Sequence, residues 1–143
     1  TKKPSKPPVG EREIKFRAWN KIQKMMFYPD GIDLIKKSLM SIDRNPFYVK
    51  LISGWGRKGG FELMQFTGLK DKNGKEIYEG DIAKIMTDPD WLVKVIWQKE
   101  ETRFMAVNIS KKDAGLLHTL DSSEFEVIGN VFENSELLKG NND

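Results

Sequence analysis

The sequence predicts a mainly β fold. Three observations carry this prediction: apolar and polar residues alternate in short runs, clusters of glycine, asparagine and aspartate separate the runs, and no long helical period occurs. The most strongly punctuated stretch is the centre of the chain, Leu63 to Met86, where Asn73-Gly74 stands between two alternating runs. We therefore expect short antiparallel strands joined by tight turns.

The first folded segment is expected to be a β-hairpin. Arg12 to Trp19 alternates with a period of two, and Met25 to Tyr28 returns after a polar turn. We expect the first strand to bury the face that carries Ile14, Phe16 and Ala18, and to expose the face that carries Lys15, Arg17 and Trp19. The stretch Ile32 to Ile42 is interpreted as short strands or loops, and Phe47 to Ile52 as a further strand.

The central hairpin is predicted from its turn residues. Asn-Gly favours a type I′ turn, because only Gly, Asn and Asp adopt positive φ cheaply, so Asn73 and Gly74 are expected at the hairpin tip. Gly80 is expected to form a bend or bulge between strands, and Asp81 to bind backbone N–H groups at that bend. These four residues are therefore predicted to be structural.

The C-terminal half has the pattern of a meander. Strands are predicted over Trp91 to Trp97, Arg103 to Ile109 and Phe125 to Phe132, with a turn at Thr87 to Asp90. The stretch from Ser110 to Ser123 is expected to be mostly loop.

Short strands at this spacing, from Phe66 to Phe132, fit a small SH3-like barrel in particular. The predicted fold is thus mainly β, an SH3-like small barrel with an N-terminal β-hairpin subdomain and a short C-terminal helical turn. The expected divisions are a disordered tail or cloning remnant (1–10), an N-terminal β subdomain (11–62), the SH3-like barrel subdomain (63–138) and a disordered C-terminus (139–143).

Composition narrows the function classes. The formal net charge of +3 comes from three lysines among the first ten residues, a segment without acids, so the rest of the chain is formally neutral. A neutral body argues against nucleic acid as the favoured partner. The sequence contains no cysteine, which excludes disulfides and thiolate metal sites and fits a reducing compartment. No apolar run approaches the roughly 20 residues of a membrane-spanning helix, so we expect a soluble intracellular protein.

No residue set in the sequence predicts catalysis or a cofactor. His118 is the only histidine and is expected on a surface loop, without the partners that acid–base catalysis or a metal site requires. The stretch Asp71 to Gly74 has the pattern that begins a calcium loop, but Ile82 occupies the twelfth position, where a bidentate glutamate is needed. We therefore predict that the protein is not an enzyme and binds neither a metal nor a cofactor.

The glycine-rich stretch Gly54 to Gly60 is a weaker candidate site. It lacks the Gly-Lys-Ser/Thr ending of a P-loop and precedes a strand-like run, so we interpret it as a surface loop. Its tryptophan and cations could stack on bases or meet phosphates. The candidate patch for a protein partner or nucleic acid comprises Lys15, Arg17, Trp19, Trp55, Arg57 and Lys58.

Three blocks of sequence carry a family resemblance: Arg12 to Asn20 followed by Lys24-Met25-Met26, Met64 to Ile82, and Val127 to Leu138. In this order the chain resembles the YopX family, over nearly its whole length after the tail. The resemblance implies a protein encoded by a phage or prophage, mostly from Gram-positive bacteria, with a mainly β fold. It implies no activity, cofactor or catalytic residue.

Sequence and resemblance together favour a non-enzymatic accessory protein of unknown biochemical activity that binds a host or phage protein in the host bacterial cytoplasm. Unpaired strand edges would suit such binding, and self-association into a homo-oligomer is a further possibility. A nucleic-acid-binding module is the alternative function, and no membrane partner is expected.

Overall fold

The computed structural model describes residues 12–40, 52–53, 60–110, 113–120 and 122–139. These residues form twelve strands and two short 3-10 helices, Ser122–Glu124 and Ser135–Lys139. In chain order the strands are β1 (Phe16–Asn20), β2 (Met25–Phe27), β3 (Gly31–Asp33), β4 (Ser38–Met40), β5 (Ile52–Ser53), β6 (Phe61–Lys70), β7 (Glu76–Tyr78), β8 (Asp81–Ile85), β9 (Asp88–Gln98), β10 (Arg103–Asn108), β11 (Leu117–Thr119) and β12 (Phe125–Asn130).

The strands pair into three antiparallel sheets. A four-stranded sheet has the order β2-β1-β6-β7, a five-stranded sheet the order β11-β10-β9-β8-β12, and a three-stranded sheet the order β3-β4-β5. The prediction of a mainly β fold with a short C-terminal helical turn is confirmed. The SH3-like barrel stays a prediction. The strands within the described ranges are distributed over separate sheets, and these sheets alone do not show such a barrel.

The two hairpins on which the sequence prediction depended are both present. β1 pairs with β2 in the register Ala18 to Phe27, and β6 pairs with β7 in the register Phe66 to Tyr78. β6 also pairs with β1, through residues 61–65 of its N-terminal half. The four-stranded sheet therefore combines strands from both predicted subdomains. The predicted strand over Phe47 to Ile52 lies outside the described residues except for its last position, which begins β5.

The prediction that one face of β1 is exposed is wrong, whereas Ala18 on the other face is buried as expected. Ile14 is 60% exposed, whereas Arg17 is 4% and Trp19 9% exposed. The alternation suggested one solvent-facing side, but β1 lies between β2 and β6 and both of its faces are covered. Ala18 packs in an apolar cluster on one side, and Arg17 and Trp19 meet the segment 78–81 and Phe132 on the other. In a strand buried on both faces, apolar and polar residues need not alternate, so the rule for a half-buried strand does not apply.

The turn predicted at Thr87 to Asp90 lies about two residues earlier. Residues 86–87 form the turn, and Asp88 already pairs with Ile85. Proline lacks an N–H donor and is tolerated in a strand only where no ladder bond is needed. Pro89 meets this condition, because β10 pairs with β9 only from Val93 onward. β9 therefore begins before the first residue that pairs with β10, and Pro89 lies in this part of the strand.

The loop predicted between Ser110 and Ser123 contains a strand. β11 pairs with β10 in the register Ala106 to His118 and forms one edge of the five-stranded sheet. Three residues are too few for a clear alternating pattern, which is why the sequence did not reveal this strand.

Apolar packing joins the sheets. One cluster combines Ala18, Leu39 and Phe61, from β1, β4 and β6. A second lies within the five-stranded sheet and comprises Ala83, Ile85, Val93, Ala106 and Phe125. A third places Ile77 of β7 against Val95 and Val127 of the five-stranded sheet. β7 is hydrogen-bonded in one sheet and buries a side chain on the other, so it connects the two.

Two glycines shape the central hairpin. Gly74 has φ of 85° and its N–H donates to the carbonyl of Asp71 at 2.9 Å, whereas Asn73 has no positive φ. The tip is therefore a type I turn followed by a left-handed glycine, and the predicted type I′ turn is wrong. Gly80 has φ of 84° and lies between β7 and β8, as the predicted bend requires. Its N–H donates to Val95 and its carbonyl accepts from Val131, each at 2.9 Å.

Alanine substitutions at these glycines should have unequal effects. A Cβ at Gly74 meets nothing within 4 Å, so Gly74→Ala should cost only the left-handed conformation, about 1–2 kcal/mol. A Cβ at Gly80 would lie 3.2 Å from Met64 Sδ and 3.5 Å from Val131 Cγ2, so Gly80→Ala should cost more. Urea denaturation at neutral pH measures both free energies of unfolding. Equal losses would mean that the Met64 side chain moves aside without cost.

Candidate binding sites

Of the six residues of the predicted patch, the structure describes Lys15, Arg17 and Trp19. Lys15 is partly exposed and lines a cleft, whereas Arg17 and Trp19 are buried. The expectation that Trp19 is available to a partner is therefore wrong. Trp55, Arg57 and Lys58 lie outside the described residues.

Arg17 forms a buried ion pair with Asp81. Arg17 Nη2 donates to Asp81 Oδ1 at 2.7 Å and to the carbonyl oxygen of Glu79 at 3.1 Å, and its guanidinium lies 4.8 Å from the ring centroid of Tyr78. Asp81 Oδ2 accepts the N–H of Tyr78 at 2.8 Å, which confirms the predicted binding of backbone at the Gly80 bend. Burial raises the pKa of the Asp81 carboxyl, and the Arg17 charge and the Tyr78 N–H oppose that rise. The pair fixes β1 to the turn that joins β7 and β8.

Trp19 anchors the C-terminal segment. Its ring stacks on Phe132 with centroids 5.5 Å apart and an interplanar angle of 12°. Large aromatic surfaces that stack in this way are packing elements when they are also buried. The residue predicted to be exposed thus joins β1 to the chain after β12.

The Asp71 carboxylate is bonded to three backbone N–H groups. Its Oδ1 accepts from Asn73 at 2.8 Å and Lys75 at 2.9 Å, and its Oδ2 accepts from Val127 at 2.9 Å. These bonds close the hairpin tip and attach it to β12. Within the described ranges, no group of three or more His, Cys, Asp or Glu residues is placed to hold a metal ion.

His118 lies on β11 and not on the expected surface loop. Its ring is half-buried against Trp91, with centroids 5.0 Å apart, and its Nε2 has no hydrogen-bond partner. It lines a cavity of about 310 Å³ together with Ile85. Asp81 is at the opposite end of β8 from Ile85, about 13 Å away along the strand. Histidine and the buried aspartate are therefore not brought together for acid–base chemistry.

A cleft of about 560 Å³, which we call the tyrosine cleft, lies where β1, β3 and β7 approach one another. The rings of Tyr28 and Tyr78 meet edge to face, with centroids 6.0 Å apart and an interplanar angle of 76°. The lining residues are Ile14, Lys15, Phe16, Tyr28, Pro29, Asp30, Gly31, Ile32, Glu76 and Tyr78.

Charged groups are concentrated in the tyrosine cleft. Lys15 Nζ forms an ion pair with Glu76 Oε2 and lies 3.4 Å from Glu13 Oε2. The hydrogen bond to Glu76 raises the pKa of the Lys15 ammonium, which therefore stays charged. The Tyr78 hydroxyl donates to Glu76 Oε1 at 3.2 Å. Burial and the neighbouring Glu76 carboxylate raise the pKa of Tyr78, so the hydroxyl stays a donor.

A second concavity of about 520 Å³, which we call the tryptophan groove, is lined mostly by apolar residues together with three charged ones. Trp97 is 49% exposed and rests edge-on against Phe104, with centroids 5.1 Å apart. The apolar walls are Leu63, Met64, Val95, Ile96, Trp97, Val131, Phe132 and Leu138, and the charged residues are Glu62, Glu79 and Lys94.

Neither concavity was found from the sequence. Glu76 and Tyr78 are two residues apart, and residues two apart on a strand share a face, which is the local signal that was available. The strands that complete the cleft and the groove are distant in the chain, and no pattern in one sequence predicts their pairing.

The fold and these surfaces define a mainly β protein with two candidate binding concavities among the described residues. Residues 15–139 match the profile of the family described as YopX protein, and the chain belongs to this family. The predicted resemblance is thereby confirmed, and membership assigns no specific activity.

Two crystal structures have the same fold. Protein EF1440 from Enterococcus faecalis is 26% identical, with a TM-score of 0.58 over 90% of this chain and 99% of that one. Protein yopX from Bacillus subtilis is 20% identical, with a TM-score of 0.55 over 88% of this chain and 96% of that one. No curated protein sequence matches the chain significantly. Among the described residues, no helix is long and apolar enough to cross a membrane.

Removing one member of the buried ion pair should be costly. Asp81→Asn leaves the Arg17 cation buried without its anion and should lower the free energy of unfolding by about 3–5 kcal/mol. The double variant Arg17→Met with Asp81→Asn should lose less than the sum of the two single losses, because no buried charge is left unpaired. Urea denaturation of the four proteins gives the coupling energy.

The exposed pair of Arg103 and Glu101, 3.1 Å apart, is the control for this cycle. Its coupling energy should stay below about 1 kcal/mol. Additive losses at Arg17 and Asp81 would contradict a stabilising role for their contact.

Asp71 should contribute to acid sensitivity. Burial alone raises the pKa of its carboxyl, but the N–H bonds from Val127, Lys75 and Asn73 outweigh burial and lower the pKa below the ordinary value. The stabilisation is therefore complete above the unfolded-state pKa of about 3.9 and is lost as the pH falls through the lower folded-state value. Asp71→Asn should be less stable at neutral pH, and its urea midpoint should fall less steeply than that of the wild type between pH 5 and 2. Parallel pH profiles would contradict this role.

Proposed function

We propose that this protein is a non-enzymatic accessory protein, encoded by a phage or prophage, that binds another protein of the host or phage in the bacterial cytoplasm. Family membership supplies no activity, so the proposal rests on the surface of the chain itself. The observation that carries it is the tryptophan groove.

The tryptophan groove has the composition of a protein-binding hot spot. Hot spots are concave, apolar at the centre and polar at the rim, and they are enriched in tryptophan. Trp97 keeps about half of its surface exposed although Phe104 and the groove walls are adjacent. Covering such a ring removes a large apolar area from water, which favours association.

The occupant that fits this groove is an apolar side chain of a partner protein. Aliphatic and aromatic walls offer dispersion and burial to a leucine-like or aromatic anchor. Glu62, Glu79 and Lys94 bring both signs of charge to the lining, and Lys94 can orient an acidic or carbonyl group beside the anchor.

A binding role also suits the way the chain uses its buried acids. Asp81 is bonded to Arg17 and the Tyr78 N–H, and Asp71 is bonded to three backbone N–H groups. Both carboxylates hold backbone in place, which favours a non-enzymatic protein. The nucleic-acid alternative is less favoured, because two of the six residues of its patch, Arg17 and Trp19, are buried.

Substitution in the tryptophan groove should weaken partner binding. Trp97→Ala and Leu138→Ala should each weaken capture of a specific protein from host lysate, by tenfold or more for Trp97, because the apolar anchor loses its wall. Capture on the immobilised protein, with nuclease and across a salt series, followed by mass spectrometry, measures this loss. Leu117→Ala is the control, because Leu117 is exposed on β11 and does not line the groove.

Three outcomes would contradict the proposal. One is a captured protein that both groove variants retain. Another is recovery of only nuclease-sensitive material, lost steeply with added salt, which would favour the nucleic-acid alternative. The third is self-association that the groove variants abolish, detected by light scattering, which would replace the partner by a second copy of the chain.

A further inference from the structure

The tyrosine cleft carries an excess of negative charge. Lys15 is the only cation among its lining residues, and its ammonium is already shared between Glu76 and Glu13. Asp30 adds a further carboxylate to the lining. The three charged lining residues have a formal charge of −1, and Glu13, which lies beside Lys15 outside the lining, brings it to −2, so the field inside the cleft favours a cation over an anion.

Aromatic faces in the cleft offer a second attraction for a cation. Tyr28 is 59% exposed and stands edge to face with Tyr78. The negative face of a tyrosine ring attracts an ammonium or guanidinium within about 6 Å. The protein already uses this contact, because the guanidinium of Arg17 lies 4.8 Å from the centroid of Tyr78.

The remaining wall of the cleft is apolar. Ile14, Pro29 and Ile32 line it beside the tyrosines, and Ile14 is exposed. A ligand with an aliphatic stem and a cationic head would bury the stem on these residues and keep the head at the carboxylates. A guanidinium suits the cleft better than an ammonium, because its plane can stack on Tyr28 while its N–H groups reach a carboxylate in a bidentate contact.

We infer that the tyrosine cleft binds an arginine side chain presented by a peptide. The guanidinium stacks on Tyr28 and donates hydrogen bonds to Glu76 in competition with Lys15, and the stem packs on the isoleucine wall. This goes beyond the proposed function, because the cleft is a surface separate from the tryptophan groove and is tested with a defined ligand.

Substitution of Lys15 should strengthen arginine binding, an effect that a general loss of structure would not produce. Its ammonium competes with an incoming guanidinium for Glu76, so Lys15→Met should tighten binding about three- to tenfold. A cleft that bound phosphate or another anion would respond in the opposite way, because Lys15 is its one lining cation.

The test is a titration of the folded protein with the blocked tripeptide acetyl-Gly-Arg-Gly-amide, followed by amide chemical shifts in nuclear magnetic resonance spectra. Shifts should change at Lys15, Tyr28 and Glu76. The same peptide with citrulline in place of arginine is the matched ligand, because it keeps the shape and loses the charge. We expect the citrulline peptide to bind at least about tenfold more weakly.

Variants at Tyr28, Glu76 and Trp97 complete the test. Tyr28→Leu should weaken arginine binding about three- to tenfold, because leucine keeps an apolar surface and loses the ring face. Tyr28→Phe should retain binding, and Glu76→Gln should weaken it about tenfold or more. Trp97→Ala should leave it unchanged, which separates this inference from the proposed function. Equal binding of arginine and citrulline, absence of binding, or weaker binding to Lys15→Met would each overturn the inference.

Discussion

The architecture depends on one buried ion pair, Arg17 with Asp81. Removing two charges from water is costly, and the attraction between them compensates only when the geometry is good and the remaining polar atoms are bonded. Here Asp81 also accepts the Tyr78 N–H, and Arg17 also reaches the Glu79 carbonyl and the Tyr78 ring, so most of the polar atoms of the pair are bonded and Arg17 Nε alone lacks a hydrogen-bond partner. The pair therefore holds a strand of the four-stranded sheet against the start of β8 in the five-stranded sheet. It fixes the relative position of two sheets that apolar contacts alone would leave freer to slide.

A specifying role accounts for the placement of this pair better than a simple gain in stability does. Well-packed apolar side chains can often replace a buried ion pair without loss, so stability alone is a weak reason for these charges. The carboxylate of Asp81 has one position in which it meets both Arg17 and the Tyr78 N–H. A shift of β1 by one residue would move Arg17 to the opposite face and bury an unpaired cation. The ion pair thus raises the free energy of wrong registers by more than it lowers the free energy of the right one.

The sequence predicted what depends on local periodicity and turn chemistry. It predicted the hairpins, the Gly80 bend and the backbone contact of Asp81, because each follows from residues adjacent in the chain. It failed where the burial of a side chain depends on tertiary contacts. The burial of Arg17 and Trp19 depends on Asp81 and Phe132, which are more than 60 residues away. The same limit hid both concavities, since their walls come from strands that are paired only in the folded chain.

The segment 76–80 builds both concavities, and this constrains how either can work. Glu76 and Tyr78 line the tyrosine cleft, and Glu79 and Gly80 line the tryptophan groove. Hydrogen bonds fix the segment at Glu79, from Arg17 and the Gln65 backbone, and at Gly80, with Val95 and Val131. A segment fixed in this way loses little conformational entropy when a ligand arrives, and preorganisation of this kind strengthens binding without adding contacts. The buried ion pair and the two concavities are therefore parts of one arrangement, in which the contacts of Arg17 help to fix the segment that both concavities share.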